Sequence, residues 1–284
     1  AIAPNAKAAD HAIVKGLDYA HSDPFTGDAV DHVLTWEGRS ELSRLFGQNV
    51  MLRLKLKRAD LYGFRAAGPA ERFAAALGPR PVRCGPCIAP PVIDGILNDL
   101  CWMDFTNSGI ADDFSLFTEM SPAPRKTKVW VTRDDANLYV AVDCEEPLTD
   151  KLRAGAPGAA IDYQRDEVIE FRLSAPGQGT YFNQLMVTAA GGKMQAWFSV
   201  EEGGSRVLDT IDWDAKTSTI PGHWYVEMAV PFKSLGRGTP QGGEVWQMNV
   251  IRYRHVTGGD ERSCWSCMFG SVHRNDRSGR LVFT

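Results

Sequence analysis

With 284 residues, 44% hydrophobic content and a formal net charge of −4, the chain carries enough apolar side chain for an ordinary globular core, which excludes wholesale disorder. A mildly acidic balance gives no electrostatic reason to seek nucleic acid or an anionic membrane surface. No apolar run approaches the ~18 residues of a membrane-spanning helix, and the first residues lack the charged start and apolar stretch of a secretory signal.

In chain order, residues 1–30 are polar and irregular, with a turn-rich loop at Asp23-Pro24-Phe25-Thr26-Gly27-Asp28. Val33, Thr35 and Glu37 then alternate with Leu34 and Trp36, which predicts a strand. Ser40 is placed to cap a helical turn running to Phe46, and Gly47 stops it. Val50 to Leu56 alternates again, with Arg53, Lys55 and Lys57 on the wet side, and Leu61-Tyr62-Gly63-Phe64 predicts a last short strand. So few strands leave one sheet face wet, so residues 1–66 are expected to be part of a β-sandwich. Strands upstream of Ala1, or pairing with the rest of the chain, would complete it. Residues 67–91 read as a Pro/Gly-rich junction: a short helix at Ala70–Leu77, the breaker Gly78-Pro79-Arg80-Pro81, and then Pro86, Pro90 and Pro91.

From residue 92 the strand pattern is dense. Lys128-Val129-Trp130-Val131 and Asn137-Leu138-Tyr139-Val140-Ala141-Val142 flank a turn at Asp134-Asp135-Ala136, which predicts a hairpin. Trp224, Val226, Met228 and Val230 share one strand face, with Tyr225 and Glu227 on the other, and Val245 to Tyr253 alternates throughout. Gly- and Pro-rich turns separate these runs, and no helix of three turns is evident. The fold class expected for residues 92–284 is all-β, an antiparallel β-sandwich of jelly-roll type, preceded by the extra N-terminal β segment.

Six short motifs run through this region in order: Ile93-Asp94-Gly95, Leu138-Tyr139-Val140, Asp166-Glu167-Val168-Ile169-Glu170, Glu227-Met228-Ala229-Val230-Pro231-Phe232, Trp246-Gln247-Met248-Asn249 and Gly279-Arg280-Leu281. Together they resemble family 9 carbohydrate-binding modules, whose sandwich is related to the DOMON domains that hold sugar or haem. The resemblance implies a module that grips a poly- or oligosaccharide and does no chemistry. It implies two aromatic rings around a terminal sugar: one near Tyr163, before the acidic strand, and one near Val272-His273. No Trp stands at that second place, so Trp265 and His273 are the candidates for it. Glu170 keeps the acidic strand position, and Met186 stands where some members carry a ligand-binding Arg. Asn249 and Arg252 match a late-strand Asn and Arg. Three positions apart on a strand, they point to opposite faces, and a buried Arg252 would need a partner such as Glu227 or Glu170. The expected sugar contacts are therefore Tyr163, Glu170, Asn183, Arg252, Trp265 and His273.

The segment from Trp36-Glu37-Gly38-Arg39 through Val50–Leu56 to Phe64 is similar to the closing strands of the C-terminal β-sandwich in multidomain glycoside-hydrolase-like proteins. That implies an upstream catalytic domain as partner and an extracellular or periplasmic setting. The chain would then be the non-catalytic C-terminal portion of a larger protein.

Four of the six cysteines form two C-x-x-C pairs, Cys84/Cys87 and Cys264/Cys267, one before the first strand and one near the last. If the sandwich brings these ends together, the four thiolates would suit a zinc site. Disulfides and free thiols remain open alternatives. Loop carboxylates such as Asp94, Asp99 and Asp143 are candidates for calcium. Carboxylate pairs such as Asp166/Glu170 leave open glycoside hydrolysis on this chain, and a structural or interaction sandwich without sugar binding is the other alternative. No His-Glu-x-x-His, Gly-x-Ser-x-Gly or phosphate-binding loop occurs.

Overall fold

The computed structural model describes residues 2–4, 14–28, 32–40, 42, 50–52, 54–58, 79–155, 160–178, 181–199, 204–207, 212–270 and 275–284. The chain divides into two units, Ala1–Ala66 and Ala67–Thr284.

In the first unit, β1 (Ile2–Pro4) pairs antiparallel with β2 (Val50–Leu52). Among the described residues, Leu17 and Trp36 are its buried apolar ones, with Val14, Leu42 and Leu52 against them. The strand expected at Val33–Glu37 is not formed: Trp36 makes only isolated bridges, to Ser22 and Arg39. The segment is held by turn-like backbone bonds, the Glu37 amide to the His21 carbonyl (2.9 Å) and the Asp23 amide to the Thr35 carbonyl (3.0 Å), and by the Asp23 side chain. Asp23 Oδ2 accepts hydrogen bonds from the Thr35 hydroxyl (2.6 Å) and the Gly38 amide (2.8 Å). The strand expected over Val50–Leu56 is shorter, ending at Leu52. The turn expected at 40–46 falls largely outside the described residues, and the elements expected at Leu61–Phe64 and Ala70–Leu77 fall wholly outside them.

The second unit is the sandwich. Its strands are β3 (Pro81–Cys84), β4 (Gly109–Ala111), β5 (Ser115–Leu116), β6 (Thr127–Arg133), β7 (Asn137–Glu146), β8 (Val168–Ser174), β9 (Tyr181–Thr188), β10 (Lys193–Ser199), β11 (Gly204–Val207), β12 (Asp214–Ile220), β13 (Gly222–Pro231), β14 (Val245–Arg254), β15 (Glu261–Cys264) and β16 (Gly279–Phe283). The helical turn α1 (Leu100–Met103) lies between β3 and β4. Among the described residues, a five-stranded sheet runs β12-β13-β7-β6-β4, and a nine-stranded sheet runs β11-β10-β9-β8-β14-β15-β5, with β16 beside β14 and β3 beside β16. The predicted hairpin is β6–β7: Asp134 Oδ1 accepts from the amides of Ala136 (2.7 Å) and Asn137 (2.6 Å), which closes the turn. No helix among the described residues is long and apolar enough to cross a membrane.

The period-2 pattern decides what each sheet buries. Val129, Val131, Val140, Val142, Trp224, Val226 and Met228 of the small sheet face Ile169, Phe171, Leu173, Leu185, Trp246, Met248 and Val250 of the large one, forming a single core. The small sheet's outer face is covered by the strap between β3 and β4. Cys101, Trp102, Ile93 and Leu97 of the strap pack on Tyr139, Ala141, Trp130 and Ala229. Glu227 fastens it: its carboxylate accepts from the amides of Asp94 (3.1 Å) and Gly95 (2.8 Å) and from Trp102 Nε1 (2.8 Å). Burial pushes the Glu227 carboxyl above the ordinary range, against these donors, which pull it down. Gly95 sits at φ +86°, and an added Cβ would meet the Thr217 backbone at 2.8 Å, so the turn requires glycine.

β14 serves two partners on one edge. Residues 245–248 pair with β16, and residues 251–254 pair with β15. At the changeover the Asn249 side chain takes the place of a strand. Its Oδ1 accepts from the amides of Val250 and Ser266 (both 2.9 Å), and its Nδ2 donates to the Ser266 carbonyl (2.8 Å).

Candidate functional site

The outer face of a sandwich sheet is ordinarily wet. Here β8 and most of β9 are buried on both faces, because loops form a third layer over the large sheet. Phe117, Ile161, Tyr163 and Met268 from those loops pack against Val168, Met186, Ile251, Tyr253 and Cys264 of the strands. The register aligns Met194, Met186, Glu170, Ile251, Cys264 and Ser115 in one row across β10, β9, β8, β14, β15 and β5.

Glu170 is the polar centre of this layer and is 1% exposed. Its Oε1 accepts from Arg172 Nε (2.5 Å) and Gln184 Nε2 (2.7 Å), and its Oε2 accepts from the Tyr253 hydroxyl (2.7 Å). A carboxylate offers about four lone-pair directions, so this one is nearly saturated by the protein itself. Burial, together with the neighbouring Glu170 charge, pushes the Tyr253 phenol far up, so it stays a donor. The Arg172 guanidinium lies over the Phe182 ring at 4.8 Å, and that of Arg262 over Tyr253 at 5.2 Å. Tyr163, half-buried in the loop before β8, sets its ring 6.0 Å from that of Tyr253 and donates its hydroxyl to Met186 Sδ at 3.0 Å. Tyr163 and Arg262 thus both lie beside the buried Tyr253 ring. Arg262 in turn pairs with Asp260 at 2.7 Å.

The structure separates the expected sugar contacts. Tyr163 and Glu170 lie on this outer layer. Asn183 stands opposite Leu173 and Trp197, on the side of β9 that faces the small sheet. Trp265 turns inward into the core, is 2% exposed and lies directly beneath Gly279; it is a packing residue, not an open platform. Arg252 also points inward, and its partner is neither Glu227 nor Glu170. Its Nη2 lies 3.3 Å from Glu146 Oε2, and it donates to the carbonyls of Lys126 and Glu145. His273 lies outside the described residues. The residues that pattern reasoning missed are Arg172, Gln184, Tyr253 and Arg262. The available signal was parity: Arg172 stands two positions beyond Glu170, on the same strand face.

The four-thiolate zinc site is not formed. Cys84, opposite the core residue Phe283, faces between the sheets, whereas Cys264, opposite Ile251, faces the outer layer of the large sheet, and Cys87 packs with the strap on the outer face of the small sheet. Among the described residues, no three His, Cys, Asp or Glu side chains gather as they would around a metal ion. Of the carboxylates expected to take calcium, Asp94 Oδ1 accepts from the Ile96 amide at 2.8 Å and Asp143 Oδ1 meets His223 Nδ1 at 2.7 Å, while Asp99 Oδ2 is buried without a hydrogen-bond partner; no three metal-ligating side chains gather around any of them among the described residues. Asp166, a partner in the hydrolytic alternative, accepts from the amides of Gly155 (3.0 Å) and Asp162 (2.8 Å) and so ties down its own loop.

No family model and no curated protein sequence matches the chain at a significant level. Among solved structures, the chain is similar to a candidate carbohydrate-binding protein from Bacteroides uniformis ATCC 8492, with a TM-score of 0.59 and 13% identity, covering 73% of this chain and 100% of that one. It is also similar to a family 9 carbohydrate-binding module from Caldicellulosiruptor kristjanssonii in complex with cellotriose, with a TM-score of 0.52 and 15% identity, covering 72% of this chain and 94% of that one. At this identity the likeness is one of fold: the sandwich is of the family 9 type, as the motif order led us to expect.

Proposed function

We propose that the chain is a non-catalytic carbohydrate-binding module that holds a poly- or oligosaccharide at the rim of the loop-covered outer face of the large sheet. The observation that supports this most directly is the arrangement around Tyr253. A half-buried aromatic ring, Tyr163, and a hydrogen-bonding guanidinium, Arg262, both stand beside it, next to the buried polar network of Glu170. Sugars offer flat C–H faces and rims of hydroxyls, which call for an aromatic surface beside donors and acceptors. In this reading Tyr163 stacks on the sugar, and Arg262 and Asp260 meet its hydroxyls. Glu170 is a positioning residue that orients Tyr253, Arg172 and Gln184. No acid–base role is assigned to Glu170 or Asp166, since both are engaged by protein donors. In a larger extracellular or periplasmic protein, the module would keep a linked glycoside hydrolase near its polymer by raising the effective concentration.

Affinity electrophoresis of the whole chain through gels containing soluble cellulose derivatives, xylan or mannan tests the proposal. We expect retardation by at least one polymer. Tyr163→Ala and Arg262→Ala should each weaken it roughly tenfold, about 1.4 kcal/mol, and Arg262→Ala, at the exposed rim, should do so with the melting temperature close to that of the wild type. Migration unaffected by every polymer would overturn the reading. The burial of Glu170 and its near-complete hydrogen bonding favour one alternative, a sandwich that braces a neighbouring domain and binds no glycan. In that case Glu170→Gln lowers the melting temperature and no glycan ever raises it.

A further inference from the structure

The six cysteines are all unpaired thiols, and they differ sharply in chemistry. Burial raises Cys101 and Cys144 to about 12 and Cys84 higher still, so these remain protonated and unreactive. Cys87 is also raised, again by burial first. The pair Cys264 and Cys267 is built differently. Cys264 ends β15 directly across the ladder from Ser115 of β5. Cys267, three residues on, comes back to the same edge: its Sγ lies 3.6 Å from the Leu116 carbonyl oxygen and 3.9 Å from that of Phe117. Both cysteines thus lie beside β5.

The segment between them is held firmly. Ser266 is clamped by the Asn249 amide, and the Trp265 carbonyl accepts from Arg80 at 2.6 Å. Donation from the Cys264 thiol is the largest influence on Cys267 and lowers it to about 7; burial opposes this, while the Phe269 amide, the Ser115 hydroxyl and Arg277 assist. The same hydrogen bond, with burial, holds Cys264 well above the ordinary thiol range. One thiol therefore ionises readily and the other keeps its proton. Cys267 is 9% exposed and Cys264 0%, so an incoming reagent meets Cys267 first.

We infer that Cys264 and Cys267 form a thiol–disulfide exchange site, with Cys267 as nucleophile, Cys264 as resolving thiol and a low-molecular-weight disulfide as oxidant. The Cys267 thiolate attacks one sulfur of R–S–S–R, forms a mixed disulfide and expels RS⁻, which takes up a proton. Cys264 then loses its proton and attacks Cys267 Sγ. The Cys264–Cys267 bond forms and the second RS⁻ leaves, so two protein thiols are oxidised while one small disulfide is reduced to two thiols. Because the two cysteines are only three residues apart and both lie beside β5, no long loop has to close. The bond would stiffen the segment ending next to Met268, which belongs to the loop layer over the Glu170 face.

The test uses the whole chain incubated with oxidised glutathione at neutral pH, quenched with acid and mapped by mass spectrometry. The expected product has lost two hydrogens, both from the peptide carrying Cys264 and Cys267. In a second arm, brief iodoacetamide labelling of the native protein across a pH series should modify Cys267 first, with a midpoint at about 7 and a rate at neutral pH roughly tenfold above that of any other thiol. Cys267→Ser should abolish both results, and Cys87→Ser should change neither. All six thiols remaining free, a disulfide mapped to Cys84 and Cys87, or first labelling at another cysteine would each overturn the inference on wild-type protein alone.

Discussion

Gly109→Ala is expected to cost the unit at 67–284 more than about 4 kcal/mol, enough to unfold it or lower its melting temperature steeply. Gly109 opens β4, at the edge of the small sheet. A Cβ at that position would lie 1.8 Å from the carbonyl oxygen of Arg83 and 2.8 Å from its carbon. Those atoms cannot step aside, because β3 is held in a parallel ladder, Pro81–Cys84 against Arg280–Phe283 of β16. The crossing is tied again one turn away, where the Gly85 amide donates to the Asn107 carbonyl at 2.8 Å. This is where the two sheets touch edge to edge, and only a residue without a side chain lets the backbones approach so closely. Gly242→Ala is the control: a Cβ there meets nothing within 4 Å, and the change should stay within ~0.5 kcal/mol. Denaturant unfolding followed by circular dichroism gives both values. A Gly109→Ala protein as stable as the control would show that β3 and β4 do not cross at contact distance.

The motifs that suggested the fold are mostly its joints. Asp94-Gly95 and Glu227 stand 132 positions apart and meet as a strap and its fastener. Asn249 fills the changeover in β14, and Asp166 ties down the loop before β8. Such joints are readable because they demand rare residue types: a glycine at positive φ, or a carboxylate facing backbone amides. The sandwich itself was readable from alternation in β6, β7, β13 and β14. The site was only half readable. Alternation says which side chains share a face, but not which face looks into the core. Asn183 and Arg252 are the right residue types for sugar, yet register places both on the inner face. The loop layer was invisible as well, because the residues that bury the outer faces of β8 and β9, such as Phe117 and Met268, come from distant loops without periodicity. At Val33–Glu37 the reverse held: among the described residues a period-2 pattern met only isolated bridges and made no strand.

Glu146→Ala is expected to cost about 3–5 kcal/mol, because it strands buried positive charge. The Glu146 side chain is fully buried between Arg252 and Arg254, whose side chains are 1% and 5% exposed. Arg254 Nε donates to Glu146 Oε2 at 2.6 Å and Nη2 to Oε1 at 3.1 Å, while Arg252 Nη2 reaches Oε2 at 3.3 Å. With the carboxylate gone, Arg254 keeps the partly exposed Glu261 at 3.1 Å, and Arg252 keeps its carbonyl partners and the more weakly coupled Glu167, whose charged form burial disfavours. Adding Arg254→Met to Glu146→Ala should recover part of the loss, since an apolar side chain of similar length needs no partner there. The pH dependence carries a sign that packing alone cannot supply. Burial pushes the Glu146 carboxyl up, but the hydrogen bond from Arg254, the Leu148 amide and the two arginine charges outweigh it and hold it below the ordinary range. A depressed folded value means that its stabilisation is present above the unfolded value, about 4.3, and is lost as pH falls through the folded one. The gap between wild type and Glu146→Ala should therefore be widest near neutrality and narrow below about pH 4. Urea unfolding at a series of pH values measures it. A gap that stays constant into acid would mean that the carboxylate acts through its shape, and the ionic account of this corner of the core would fail.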